Sequence, residues 1–200
     1  MKRCHVILFA LGVLLTLPAS LFAADYEVDA DHTKVGFKVK HLGISSVPGS
    51  FQTVAGKFSF DPKNIAASSA EATITAKTID TGNTKRDDHL RSADFLNVEK
   101  NPQIKFVSRE VKDISGNNFK VVGDLTINGI TKPVELDVEY GGSATDPWGN
   151  ERAAFSATGT IKRKDFGITW NKVLETGGLV VGEDVKISLE VEGIQKKSGV

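Results

Sequence analysis

The chain has 200 residues, with 25 Lys and Arg balanced by 25 Asp and Glu, one Cys and four His. That balance offers no basic excess for gripping a phosphodiester backbone, so nucleic acid is excluded as a partner. The sole cysteine, Cys4, precedes the first apolar run, which leaves the rest of the chain without disulfides, thiolate metal sites or cysteine nucleophiles.

Met1-Lys2-Arg3, the apolar stretch Val6 to Leu17 and then Pro18-Ala19-Ser20-Leu21-Phe22-Ala23-Ala24 follow the charged, apolar and small-residue order of a secretory signal peptide. The apolar run is too short to span a bilayer, which takes roughly 20 residues. Residues 1–23 are therefore expected to be a signal peptide cut after Ala23, with Ala24 as the alternative, and 24–200 to be one periplasmic domain. Loss of Lys2 and Arg3 takes the basic count from 25 to 23 against 25 acidic residues, a net charge of about −2.

Past the leader, residues alternate with period 2. Val35, Phe37 and Val39 alternate with Lys34, Lys38 and Lys40, and Ala70, Ala72, Ile74 and Ala76 with Glu71, Thr73, Thr75 and Lys77. Gly56 to Phe60, Ile104-Phe106, Phe119 to Ile127, Val134 to Tyr140, Ala153 to Arg163 and Val185 to Val191 continue the pattern. Asn128-Gly129 predicts a tight type I′ hairpin, because both central positions of that turn need positive φ. Gly141-Gly142 and Gly177-Gly178 read as turns. From Thr84 to Leu96 the alternation stops and an amphipathic helix is expected, capped by Thr81 or Asn83. Pro102 marks the return to strand, and Asp165 to Gly182 reads as a long loop folded on the barrel mouth.

About eight strands joined by short connections predict an all-β fold: an eight-stranded antiparallel up-and-down barrel with one short helical segment. Ala70, Ala72, Ala76, Gly123, Ala153, Ala157 and Gly159 share the inward parity. Their small size favours a central apolar cavity over a solid core, the alternative being that they serve bends or bulges. Arg163 shares that parity and needs a partner, either Asp165, Asp87 or the anionic head of a ligand.

Catalytic patterns are missing: no nucleophile elbow, phosphate loop or His-Glu-x-x-His occurs, and His32, His41 and His89 are too scattered to suggest a metal. In the cluster Lys85-Arg86-Asp87-Asp88-His89 the adjacent carboxylates point different ways around a helix. No catalytic residue, metal ligand or cofactor is expected.

Several motifs carry a resemblance. Asp29-Ala30-Asp31-His32 before Val35-Gly36-Phe37, His41-Leu42-Gly43, Gly49-Ser50-Phe51, Thr81-Gly82 before Arg86-Asp87-Asp88-His89-Leu90, Gly123 to Gly129, and Arg163-Lys164-Asp165-Phe166-Gly167 resemble the YceI-like family in order. The family pattern has Ser where this chain has Thr33, and a polar residue such as Asn where it has Lys162. The resemblance implies a lipocalin-like barrel that holds a polyisoprenoid or other long-chain lipid. Its tail is expected to run past Phe37, Phe58, Ile74, Phe106, Val121, Leu125, Leu136, Phe155, Ala157, Ile161, Phe166 and Trp170. His32, His41, Arg86, Asp87, His89 and Arg163 are the head-group candidates. A lipid-modifying enzyme would need paired ionisable groups in the lumen. A module that delivers lipid or redox equivalents to a membrane-protein partner would use the Trp148 and Trp170 loops, and a homodimer is compatible with either.

Overall fold

The computed structural model describes residues 23–173, 175 and 178–197. The expected leader, apart from Ala23, and Gly177 lie outside the described residues.

Among the described residues, eleven strand segments form one continuous sheet: β1 (Ala24–Val28), β2 (Lys34–His41), β3 (Ser45–Phe51), β4 (Val54–Phe60), β5 (Ser69–Thr75), β6 (Ile79–Asp80), β7 (Gln103–Ser115), β8 (Asn118–Ile127), β9 (Ile130–Thr145), β10 (Glu151–Lys162) and β11 (Val181–Gln195). Three pairs of segments are interrupted single paths. β1 and β2 both lie against β11, through Tyr26↔Gln195 and Val35↔Leu189, with a 3-10 turn at Ala30–His32 between them. β3 and β4 follow one another across Gln52-Thr53, and β5 and β6 across the 3-10 turn Ala76–Thr78. Counted by path, eight antiparallel strands close into a barrel, as the period-2 alternation predicts.

Closure follows from the twist of a sheet whose every strand has one apolar face: rolling it up buries that face and leaves no unpaired edge. The Asn128-Gly129 hairpin forms as expected, with both residues at positive φ (52° and 74°) between the paired Ile127 and Ile130. Gly141-Gly142 is not a turn. It lies inside β9, where Gly142 has φ +126° opposite a register shift at Ala154/Phe155, and so forms a bulge. The helix α1 is shorter than expected, Thr84–Arg91, because Ser92 turns extended and its N–H bonds back to His89. Its cap is Asn83, whose Oδ1 accepts the Arg86 N–H at 3.1 Å. Ala76 is buried as expected but belongs to the 3-10 turn, not to a strand.

The interior has two packed zones. At one end Tyr26, Phe58, Phe60, Phe119, Tyr140 and Phe155 form an aromatic floor, with Tyr26 stacked on Phe58 at 4.8 Å and Phe60 edge-on to Phe155 at 4.9 Å. At the other, α1, the turn that follows it and the segment after β10 bring Leu90, Phe95, Leu96, Phe166, Ile168 and Trp170 over Ile104, Leu125 and Ile127. Two of the small inward residues make room for neighbours. A Cβ on Gly123 would stand 2.4 Å from the Phe106 ring, and one on Gly159 2.7 Å from Leu136. Their size therefore records cross-strand packing and not empty space.

Candidate functional site

Between the floor and the α1 end lies a pocket of about 660 Å³, lined by side chains from every barrel path. Its walls are the inward residues of the alternating strands. Polar exceptions on the walls include Ser108, whose Oγ accepts the Ala70 N–H at 2.8 Å, and Arg163. All twelve residues assigned to the tail from sequence line it: Phe37, Phe58, Ile74, Phe106, Val121, Leu125, Leu136, Phe155, Ala157, Ile161, Phe166 and Trp170. Sequence reading missed Val47 and Phe51 of β3, Ile79 of β6, Leu90 of α1, and Phe95 and Leu96 beyond it, because β3 shows no clean period and the other four lie outside the alternating runs. The pocket reaches exposed side chains at two places, Lys40 of β2 with Lys85 and Arg86 of α1, and Lys57, Ser69 and Glu71 along β4 and β5.

The head-group candidates divide. His41, Arg86, His89 and Arg163 line the pocket at the α1 end. Asp87 sits at the same end but outside the pocket, where it is buried and accepts both the N–H and the O–H of Thr81, at 2.9 and 2.5 Å. It pins the start of the helix. His32 lies at the opposite end, with Nδ1 2.8 Å from Asp29, so the six candidates do not share one end of the barrel. His89 joins α1 to the loop: its Nε2 meets Asp94 at 2.8 Å and its ring meets Phe95 and Trp170 edge-on, at 5.0 and 4.8 Å. Trp170 is consequently packed inward and presents no surface patch, whereas Trp148, 78% exposed, does so at the far end.

Arg163 takes neither of the carboxylates that sequence suggested. Only 3% exposed, it donates Nε to the Gly182 carbonyl at 2.9 Å and Nη1 to those of Ile168 and Trp170 at 2.8 Å each, with a longer Nη2 contact to Val181 at 3.5 Å. Burial lowers its pKa. A planar fork with donors in several directions suits divergent carbonyls, and it ties the segment after β10 to the start of β11.

At the aromatic-floor end a charged network closes the outside of the barrel. Arg152 donates to Asp29 at 2.7 Å and to Asp146 at 2.9 Å, and also pairs with Glu192. Asp29, His32 and Glu192 offer ligand atoms within 4.8 Å of one another, yet Arg152 already supplies the positive charge that the two carboxylates need. The Arg152 guanidinium, helped by His32 and the Asp31 N–H, holds the Asp29 carboxyl at about 2. Burial alone would raise Asp146, but N–H groups of Asn150, Arg152 and Trp148 bring it below the usual range. Both acids are thus depressed in the folded state, so their contribution is present above about pH 4 and is lost as the pH falls toward 2. Urea midpoints should follow: Arg152→Leu is expected to unfold at lower urea than the native chain at pH 7. The gap should shrink as the pH falls to 2. Equal midpoints at pH 7 would show that the network contributes nothing.

Comparison with known proteins places this architecture. Residues 26–193 match the model of the YceI-like domain. The chain is 44% identical to the UPF0312 protein of Pectobacterium atrosepticum, over 98% of this chain and 100% of that protein. Among solved structures it is similar to Burkholderia cenocepacia BcnA, with a TM-score of 0.73 and 26% identity over 82% of this chain and 98% of that one. It also shares its fold with a polyisoprenoid binding domain from Saccharophagus degradans, with a TM-score of 0.62 and 13% identity over 87% of this chain and 99% of that one.

Proposed function

Because this chain belongs to the YceI-like family, we propose that it is a binding protein that holds a polyisoprenoid or similar long-chain lipid in the barrel pocket and carries out no chemistry on it. The observation that carries this reading is the pocket itself. Its volume of about 660 Å³ falls in the usual range for small-molecule sites, roughly 300–1,000 Å³, and its walls are almost wholly apolar. At about 0.8 kcal/mol per buried CH₂, a tail of roughly 15 carbons would contribute on the order of 12 kcal/mol before the cost of ordering it. Polar contacts would then set orientation: His41, Arg86 and His89 stand at the α1 end, where an anionic or carbonyl head would meet them. The fold shared with a polyisoprenoid binding domain agrees with this choice of ligand. The charged, apolar and small-residue order of the leader supports action in the periplasm.

Mass spectrometry of a solvent extract of the native protein tests the proposal. A long-chain amphiphile near one equivalent per chain is expected. A protein that yields no lipid and also fails to take up an apolar fluorophore would overturn it.

A further inference from the structure

We infer that Ser68 and Ser108 form a second polar subsite, at the aromatic-floor end of the pocket, that binds an uncharged oxygen of the ligand, a hydroxyl or a carbonyl. The inference rests on the lipid-binding reading and adds what chemistry the deep end of the lipid carries.

The barrel wall is interrupted at this level. β5 and β7 pair from Thr75↔Gln103 to Glu71↔Val107, and the pairing then stops. Beyond it the Ala70 N–H donates to a side chain, the Ser108 Oγ at 2.8 Å. Against β8 the register of β7 shifts between Ser108 and Glu110, so β7 bulges where it leaves β5. Ser108 follows Ile104 and Phe106 in the inward row of β7, a row that is otherwise apolar as far as the bulge. Its hydroxyl accepts from Ala70, and its own O–H has no acceptor among the described residues.

Ser68 is the second hydroxyl, two residues before Ala70. It follows the 3-10 turn Ile65–Ala67, and its backbone N–H closes that turn on the Ile65 carbonyl at 3.0 Å. Serine hydroxyls near such turns usually bond the neighbouring backbone. The Ser68 Oγ does not: it is buried and has no hydrogen-bond partner among the described residues, and Ser68 lines the pocket. A buried hydroxyl without a partner costs stability that an alanine would not. Kept at that cost, next to a second hydroxyl with a spare proton, it fits a ligand that supplies the missing bond.

The group it fits is uncharged. The ionisable residues lining the pocket at this end are Lys57 and Glu71, which are exposed and pair with each other at 3.2 Å. Arg109, beside Ser108, is exposed as well and pairs with Asp124. A buried ion would therefore meet two hydroxyls and no counter-charge, too little to offset its desolvation. The oxygen has two possible sources: the ligand's own head, inserted first, or a second function at the end of a tail whose head stays beside α1.

Displacement of an apolar fluorophore by ionised hexadecanoic acid, ω-hydroxyhexadecanoic acid and hexadecanol tests the subsite. Ser68→Ala should weaken the hydroxyl-bearing probes about fivefold, the effect of one neutral hydrogen bond, and leave hexadecanoic acid unchanged. Weakening of both hydroxyl-bearing probes identifies a head inserted first; weakening of the hydroxy acid alone identifies a second function on the tail. The variant removes a hydroxyl that bonds nothing, so its urea midpoint should equal or exceed that of the native chain. Ser108→Ala should lose the same affinity and also unfold at lower urea, because the Ala70 N–H loses its acceptor. Unchanged affinity of all three probes for Ser68→Ala would overturn the subsite, as would a lower midpoint, which would assign the hydroxyl to the fold. Failure of all three to displace the fluorophore would overturn it as well. A chain that still takes up the fluorophore in these cases keeps the lipid-binding reading, whereas one that takes up none refutes both.

Discussion

Ala157→Trp should abolish lipid binding while Thr158→Trp leaves it unchanged. The two residues are adjacent on β10 and therefore face opposite sides of the barrel wall. Ala157 is buried and lines the pocket, opposite Val138 of β9 and Leu189 of β11; Thr158 is exposed on the outer face. An indole at 157 would occupy space that a ligand tail needs, between the aromatic floor and the α1 end. Overpacking costs about 1–3 kcal/mol in a filled core. The variant should lose less than that if the ring enters the pocket. Binding of an apolar fluorophore and a urea midpoint, measured on both variants, make the comparison. Equal fluorophore binding by the two would show that the tail does not pass β10. A large loss of stability in Ala157→Trp, with no fluorophore bound by the native chain either, would show a solid core.

Arg163→Met should destabilise the protein by about 2–4 kcal/mol, because the guanidinium satisfies carbonyls that accept from no other side chain among the described residues. Gly182, Ile168 and Trp170 would each lose a charge-assisted bond in a buried setting. The segment after β10 would then loosen, and with it the Trp170 contact to His89 and Phe95. Arg163→Lys should recover less than half of the loss, since one ammonium on a flexible stem cannot reach the three carbonyls that two guanidinium nitrogens meet. Full rescue by Lys would mean that charge alone matters and that the fork geometry does not. Unchanged stability of Arg163→Met with loss of lipid would return the residue to a head-group role.

The strands were legible because a barrel wall is apolar on one face, and period-2 alternation records that directly. β3 escaped: Ser45, Ser46 and Pro48 obscure its alternation, and its inward Gly49 leaves its space to the Phe37 ring. The pocket-lining residues followed from parity, which is a local property of each strand. The head-group set did not, since the end of the barrel at which a residue lies depends on the direction and length of every strand before it. Parity alone therefore does not say that His32 lies at the opposite end from His41, Arg86 and His89. The Arg152 network was out of reach for the same reason, as Asp29, Asp146 and Glu192 meet Arg152 only after the barrel closes. The small residues illustrate a subtler failure. Gly123 and Gly159 were placed on the correct face, but what they accommodate is Phe106 and Leu136.

The seam that completes the barrel joins opposite ends of the chain. β1 pairs with β11 through Tyr26↔Gln195, and the Lys196 N–H donates to the Asp25 carbonyl at 2.8 Å. One edge of the β1–β2 path pairs with β3 and β4, close in sequence, whereas its other edge waits for the last strand. Folding is therefore governed by the most distant contact in the chain, a topology associated with slow closure. A polypeptide delivered N-terminus first can pair β1 with β4 but keeps the other edge of β1 open until residues near 195 arrive, which gives a holding factor time to act on it. Joining the old ends through a short linker and opening a hairpin such as Asn128-Gly129 would turn that late seam into an early, local one.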